Sequence, residues 1–291
     1  MEALNQSIDF HGKSVLNLHN FHINSTNQSS RKEHRHHYLE ISYVKKGSGC
    51  YKVEDKYYDM QEGDVFVLNN IESHVICDVS PYDELVNMVI HFEPRFIWSS
   101  ESNFFDSRYL KIFFDRNENF QNRLDRNNPA THEIRKLLLE IEEEFLNKQV
   151  EYELMIKVKL LNILVNLIRH YGYTKESKDT STRMKQDIMF MNKVIDYIDS
   201  HLSEDIKLST LSEIAHVNSS YFSTLFKKYN GISPTDYIAR KRIYKAMELI
   251  KSSDKSILEI AGACGFNNAA NFNKTFKKIT GKTPTYYRNN I

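Results

Sequence analysis

One stretch of the C-terminal third is written twice, and that duplication restricts the fold more than any other feature of this 291-residue chain. Phe226-Lys227-Lys228-Tyr229-Asn230-Gly231-Ile232-Ser233-Pro234-Thr235-Asp236-Tyr237 returns fifty positions on as Phe276-Lys277-Lys278-Ile279-Thr280-Gly281-Lys282-Thr283-Pro284-Thr285-Tyr286-Tyr287. Upstream, Leu208, Leu211 and Ser212 match Ile257, Ile260 and Ala261 at a shift of forty-nine. Two copies of one supersecondary unit account for both matches. Each copy reads as helix, tight turn, helix. In the second, Ser256 is placed to cap a first helix, Gly265 to stop it at positive φ, and Asn267 or Asn268 to cap the next. Phe272 and Phe276, at i and i+4, bury one face of that second helix. A small residue in each first helix, Ser212 or Ala261, lets the two helices cross closely, as a helix-turn-helix requires.

The opposite face of each second helix is left to solvent. In the first copy it carries Ser219, Ser220, Ser223, Thr224 and Lys227; in the second, Asn268, Ala270, Asn271, Lys274 and Lys278. Asn, Ser and Thr reach base edges, and lysines, Lys277 among them, neutralise phosphates. A single polar face of this kind is usually only a solvated one. Charge argues otherwise here: residues 206–291 hold 14 Lys+Arg against 5 Asp+Glu, net +9, and the remainder 25 against 33, net −8. A basic duplicated segment on an acidic body points to double-stranded DNA as its partner. The helix between the copies, Tyr237 to Lys251, turns Ile243, Ala246, Met247 and Ile250 inward and Arg240, Lys241, Arg242 and Lys245 outward. It would hold the two reading helices at a fixed separation.

The N-terminal half follows a different period. Over residues 38–92 apolar and polar residues alternate between turn signals (Gly47-Ser48-Gly49, Glu62-Gly63-Asp64, Asn69-Asn70), which predicts a sandwich or barrel of short strands. From about Ala130 the period becomes helical. Ile134, Leu138, Ile141 and Phe145 form one stripe. The following helix has two: Ile156, Leu160, Ile163 and Leu167, and Leu154, Val158, Leu161, Val165 and Ile168. A helix apolar on two sides needs two partners; the expectation is a homodimer seam through Ile156, Leu160, Ile163 and Leu167, with the other stripe as runner-up. Gly172 to Gln186 reads as a polar linker. The domains expected are therefore 1–171, a linker over 172–186, and 187–291, an α+β chain whose second domain is all-α.

Other features narrow the class. No apolar run approaches the roughly 18 to 20 residues that cross a bilayer, and Met1 to Gln6 lack a secretory leader's basic and apolar regions. Cys50, Cys77 and Cys264 are odd in number, widely spaced, and match neither a disulfide framework nor a zinc knuckle. These points predict a cytoplasmic protein that does not contact membrane. His34, His36, Tyr38, Glu40 and Ser42 share one face if extended. That row reads as effector-pocket lining, as an ordinary surface or core face, or as a metal site. No Ser-His-Asp, phosphate-loop or Cys-His pattern supports catalysis.

At this level of detail the sequence resembles the AraC/XylS family of transcription regulators. The likeness is strongest through Glu259-Ile260-Ala261-Gly262-Ala263-Cys264-Gly265-Phe266, Asn271-Phe272, Gly281 and Thr283-Pro284, and, in the first copy, Tyr221-Phe222-Ser223, Gly231 and Ser233-Pro234. It departs at Ser212, where alanine is usual, and at His216, where glycine is common. The resemblance implies base-reading by Ser220, Ser223, Thr224, Asn271 and Lys274. The N-terminal half is similar to the family's cupin-type sensory domain through His34 to Glu40, Gly47 to Gly49, Glu62 to Asp64 and Glu72 to His74. It implies a small barrel with a helical hairpin that pairs the subunits, binding an effector, frequently a sugar, at His34, His36, Tyr38, Glu40 and His74. His-x-His-x3-Glu is also the first half of a cupin metal motif, but the histidine usual three residues after Gly63 is Phe66. No metal, cofactor or catalytic residue is expected. The whole reads as a ligand-responsive, sequence-specific transcription regulator, an activator of carbohydrate or related small-molecule genes, with RNA polymerase a further candidate partner. The alternative is a cupin metalloenzyme with a DNA-binding tail.

Overall fold

The computed structural model describes residues 5–9, 14–24, 32–36, 38–80, 84–97, 109–174 and 178–289. Met1–Leu4, His37 of the histidine row and residues 175–177 of the segment read as a linker lie outside them. The chain divides into Met1–Gln186 and Asp187–Ile291.

The first unit begins with strands β1 (Asn5–Asp9), β2 (Ser14–Ile23), β3 (Leu39–Lys46), β4 (Ser48–Val53), β5 (Lys56–Gln61), β6 (Val65–Leu68), β7 (His74–Val79) and β8 (Leu85–Phe92). They form an antiparallel sheet in the order β1-β2-β8-β3-β6 and a second, β5-β4-β7. Central strands bury both faces, so β3 hides Leu39 and Ile41 and also Glu40 and Ser42. Gly47 turns β3 into β4 at φ +86°, where a Cβ would sit 2.7 Å from the Glu84 carbonyl oxygen; glycine is required there. Phe66 is fully buried and packs edge-on against Tyr51 and Tyr58. Cys50 and Cys77, read from sequence as unrelated, are brought side by side on β4 and β7 with their Sγ atoms 2.6 Å apart. Strand pairing, invisible in their spacing, makes them neighbours.

Helices α1 (Pro94–Ile97), α2 (Lys111–Phe114), α3 (Pro129–Asn147) and α4 (Tyr152–Tyr171) complete the unit. Asn128 caps α3 by accepting from the Ala130 amide, with Pro129 at the first helical position. Buried Glu142 anchors α3 to the sheet, accepting from the Asn20 amide and from Lys45 Nζ at 2.7 Å. The expected dimer seam is corrected by the packing of α4. Ile156, Leu160, Ile163 and Leu167 are fully buried within one chain, where α4 packs on α3, α1 and α2. The runner-up stripe is the more accessible one: Leu154 is 58% and Val158 51% accessible, and Leu161, Val165 and Ile168 are half-buried. Two apolar stripes carry no label in sequence; packing on α3, with α1 and α2 beside it, decides which is inside.

The second unit holds the C-terminal part of α5 (Lys178–Ser200), then α6 (Leu208–Ile214), α7 (Ser219–Asn230), α8 (Pro234–Ser252), α9 (Ile257–Ala263), α10 (Ala269–Thr280) and α11 (Pro284–Asn289). Helix α5 starts inside the segment read as linker. Once Met191, Val194, Ile195 and Ile198 bury a stripe, extending the helix backward through residues free of Gly and Pro is cheap. Helix α8 packs against α7 on one side and α9, α10 and α11 on the other. Two of its expected outward charges face inward instead. Lys241 is 4% exposed with its Nζ 2.7 Å from an Asp199 carboxylate oxygen, and Arg242 donates to the carbonyls of Leu202 and Glu204. Their partners sit some forty residues upstream, beyond the reach of a helical-wheel reading. No described helix is long and apolar enough to cross a membrane.

Candidate functional sites: a duplicated helix-turn-helix and a buried histidine–glutamate cluster

The two copies share one backbone device. Helix α6 ends with the Val217 amide donating to the Ser212 carbonyl and the His216 amide to that of Glu213; α9 ends with Phe266 donating to Ala261 and Gly265 to Gly262. Both are Schellman closures, with His216 at φ 53° and Gly265 at φ 82° in the left-handed position. Asn218 then caps α7 by accepting from the Tyr221 amide, and Asn268 caps α10 by accepting from that of Asn271. Ser256 and Glu259 form a full capping box on α9, whereas Lys207 at the head of α6 makes no side-chain cap. The departure at Ser212 has a partner: its Oγ lies 2.9 Å from Ser219 Oγ, tying α6 to α7. In the second copy Ala261 and Ala269 occupy these places.

The candidate reading residues divide by accessibility. Ser220, Thr224, Lys227, Asn268, Ala270, Asn271, Lys274, Lys277 and Lys278 are exposed; Ser219 and Ser223 are half-buried. Ser223 and Thr224 hydroxyls donate back to the Ser219 and Ser220 carbonyls. Aligned at a shift of fifty, Ser220, Ser223, Thr224 and Lys227 correspond to Ala270, Asn273, Lys274 and Lys277, one stripe of each helix. Asn273 is exposed and went unread in the sequence, although the repeat itself pointed to it. Asn271 and Lys278 lie round the side, lining a cleft with Thr235, Asp236 and Arg240, where Lys278 Nζ is 3.6 Å from Asp236.

In the first unit, strand register gathers a polar cluster. Glu40 on β3 pairs with His91 on β8, and His34 bridges to His74 at the start of β7. Glu40 is 2% exposed, and its Oε2 lies 2.8 Å from His36 Nε2, 2.9 Å from His91 Nε2 and 3.4 Å from His74 Nε2. Tyr51 donates to its other oxygen at 3.1 Å. Burial pushes the Glu40 pKa up, but the imidazoles hold it well below the usual carboxylate range. Burial pushes His91 and His34 down; at His74 burial is outweighed by the Glu40 charge, and the pKa is raised. The Tyr51 phenol is pushed well up by burial and by Glu40.

A cavity of about 370 Å³ opens onto this cluster. Of the five residues expected around an effector, His34, Glu40 and His74 line it. His36 and Tyr38 stand behind: His36 bonds Glu40, and Tyr38 stacks on His91 at 5.8 Å. Tyr51, Asn87 and His91 also line the cavity, and none was singled out from sequence. His91 is the one ionisable residue of the run Leu85–Phe92, which was a usable signal.

Family models and relatives agree with this division. An AraC-like ligand binding domain matches residues 21–164 and a helix-turn-helix domain residues 211–290. The probable transcriptional regulator LumQ of Photobacterium leiognathi is 26% identical over 263 residues, 90% of this chain and 94% of that one. Regulatory protein PocR of Salmonella typhimurium is 41% identical over 133 residues, 46% of this chain and 43% of that one. The crystal structure of ToxT from Vibrio cholerae O395 is 15% identical, covers 94% of this chain and 98% of its own, and has a TM-score of 0.50. That last likeness is one of fold.

Proposed function

The chain belongs to the AraC/XylS family of ligand-responsive, DNA-binding transcription regulators, and from that premise we propose what it senses and how it reads DNA. The effector is a small polar molecule of carbohydrate size, taken up in the 370 Å³ cavity against His34, Glu40 and His74, with His36 and Tyr38 backing the wall. The carrying observation is a buried carboxylate, Glu40, lining a cavity of that volume among other hydrogen-bonding side chains. The genes controlled are then those of carbohydrate or related small-molecule use, and this chain activates them through RNA polymerase. Thermal unfolding of the full chain against a panel of monosaccharides tests the reading. At least one sugar should raise the midpoint, and Asn87→Leu, which fills the cavity wall, should abolish the rise. A flat response to every sugar would remove the carbohydrate assignment.

DNA is read by the matching stripes of α7 and α10: Ser220, Ser223 and Thr224 in one, Asn273 and Lys274 in the other. Lys227 and Lys277 contact phosphates, with Lys278 flanking. Ser219 and Asn268 act at the helix starts, and Asn271 contributes from the edge of the stripe. Two copies of the chain associate through Leu154, Val158, Leu161, Val165 and Ile168, the face that α3 leaves open. Val158→Glu should then halve the mass measured by sedimentation at micromolar concentration while the circular dichroism stays unchanged; a wild-type chain already monomeric there would exclude the dimer.

A further inference from the structure

Three histidines of the cluster have their ring orientation fixed from behind. His34 Nδ1 lies 3.1 Å from the Lys32 carbonyl oxygen, His36 Nδ1 3.1 Å from that of Tyr38, and His74 Nδ1 3.1 Å from that of Glu72. A carbonyl only accepts, so each Nδ1 carries a hydrogen and Nε2 is the nitrogen left to ligate. His36 and His74 turn that nitrogen to the Glu40 carboxylate. His34, His36 and His74 offer ligand atoms within 4.8 Å of one another, as do His36, Glu40 and His91. Backbone carbonyls behind metal-binding imidazoles, setting the tautomer, are the usual supporting shell of a metal site.

The His36 and His91 rings are 4.3 Å apart, and His36 and His74 5.0 Å, all against one Glu40 carboxylate oxygen. We propose that His36, His74, His91 and Glu40 bind one divalent transition-metal ion of the zinc class, with His34 at the rim. Three imidazoles and one carboxylate form a borderline donor set suited to zinc, cobalt or nickel rather than calcium or magnesium. Tetrahedral bonds of 2.0–2.1 Å separate ligands by about 3.3 Å. His74 already stands at 3.4 Å from Glu40 Oε2, and His36 and His91 have only to withdraw by roughly half an ångström.

The set differs from the motif that the sequence suggested. Phe66, at the place of that motif's last histidine, is packed between Tyr51 and Tyr58, and the donors come instead from β7 and β8. Because His34, Glu40, His74 and His91 line the cavity, the ion faces it, and an effector with a hydroxyl or carboxylate oxygen would bind to the metal. This last step rests on the effector-pocket reading; metal binding itself does not.

The test is calorimetric titration of the untagged full chain, stripped with chelator, by Zn²⁺ and by Co²⁺ alone, with the Co²⁺ ligand-field spectrum recorded. One ion per chain is expected, with bands of a low-symmetry site and an absorption-edge fit giving three imidazoles. His91→Gln should weaken binding at least tenfold, in line with the roughly 10–100-fold effects of altering a metal's surroundings. His132→Gln, on the exposed face of α3, should change nothing. No binding at micromolar metal, or binding that His91→Gln and Glu40→Gln leave unaltered in folded protein, would overturn the site. A sugar response that survives chelation would keep the effector pocket and discard its metal. Stoichiometric metal with no response to any oxygen ligand would keep the metal and discard the effector reading.

Discussion

At the turn of the first helix-turn-helix stands His216 at φ 53°, and at the same turn of the second stands Gly265 at φ 82°. The hydrogen bonds around them are the same, yet the surroundings differ. A Cβ at Gly265 would meet the Leu202 carbonyl oxygen at 2.7 Å and the Arg242 guanidinium carbon at 3.0 Å, whereas the His216 side chain is exposed beside Phe190. The first copy is tied by polar pairs, Ser212 to Ser219 and Tyr229 to Asp187. The second closes on an apolar cluster of Ile243, Ile260, Ala261, Cys264, Phe272 and Phe276. Both copies bury a phenylalanine pair, Phe222 and Phe226 in the first and Phe272 and Phe276 in the second, and the first adds its polar pairs to that core.

The widest gap between the copies should appear at the turn. Gly265→Ala combines left-handed strain with a backbone collision and should lower stability by about 2–4 kcal/mol. His216→Gly relieves strain but adds chain entropy, so it should change stability by no more than about 1 kcal/mol, in the stabilising direction. Urea unfolding of the full chain measures both. Equal effects would show that the turns are interchangeable.

The reading faces come next. Asn273→Ala should cost about 1–3 kcal/mol on the selected site and little on random DNA. Ser223→Ala, whose hydroxyl already donates to Ser219, should cost under about 1 kcal/mol. Lys227→Ala and Lys277→Ala should weaken all sequences alike, each lowering the salt slope by about 0.9. Fluorescence anisotropy over a salt series separates these outcomes. Parity between Asn273 and Ser223 would mean that the two helices read alike.

The smallest contrast lies at the helix heads. Removing the capping box with Ser256→Ala should destabilise by about 1 kcal/mol, and supplying the missing cap with Lys207→Ser should stabilise by roughly 0.5–1 kcal/mol. Thermal midpoints check both signs.

What the sequence disclosed was local. The turn glycine, the Asn268 cap and the Phe272–Phe276 stripe each depend on residues within one or two helical turns, so periodicity and capping chemistry exposed them. What it concealed was brought together across the fold. His91 joins Glu40 only through the β3–β8 register, Lys241 turns inward where Asp199 meets it, and α4 hides one of its two apolar stripes where it packs on α3, α1 and α2. The repeat aligns Asn273 with Ser223, whereas the family resemblance implies Asn271, which the structure places in the cleft lining.

The central claim is that both copies read DNA, each through its own stripe. Selection of bound sequences from a random duplex library by the full chain tests this most directly. Two blocks of preferred bases about 10–10.5 base pairs apart are predicted, one helical turn of B-DNA. Thr224→Ala should relax one block and Asn273→Ala the other. A single block, or two blocks that both variants relax together, would contradict it.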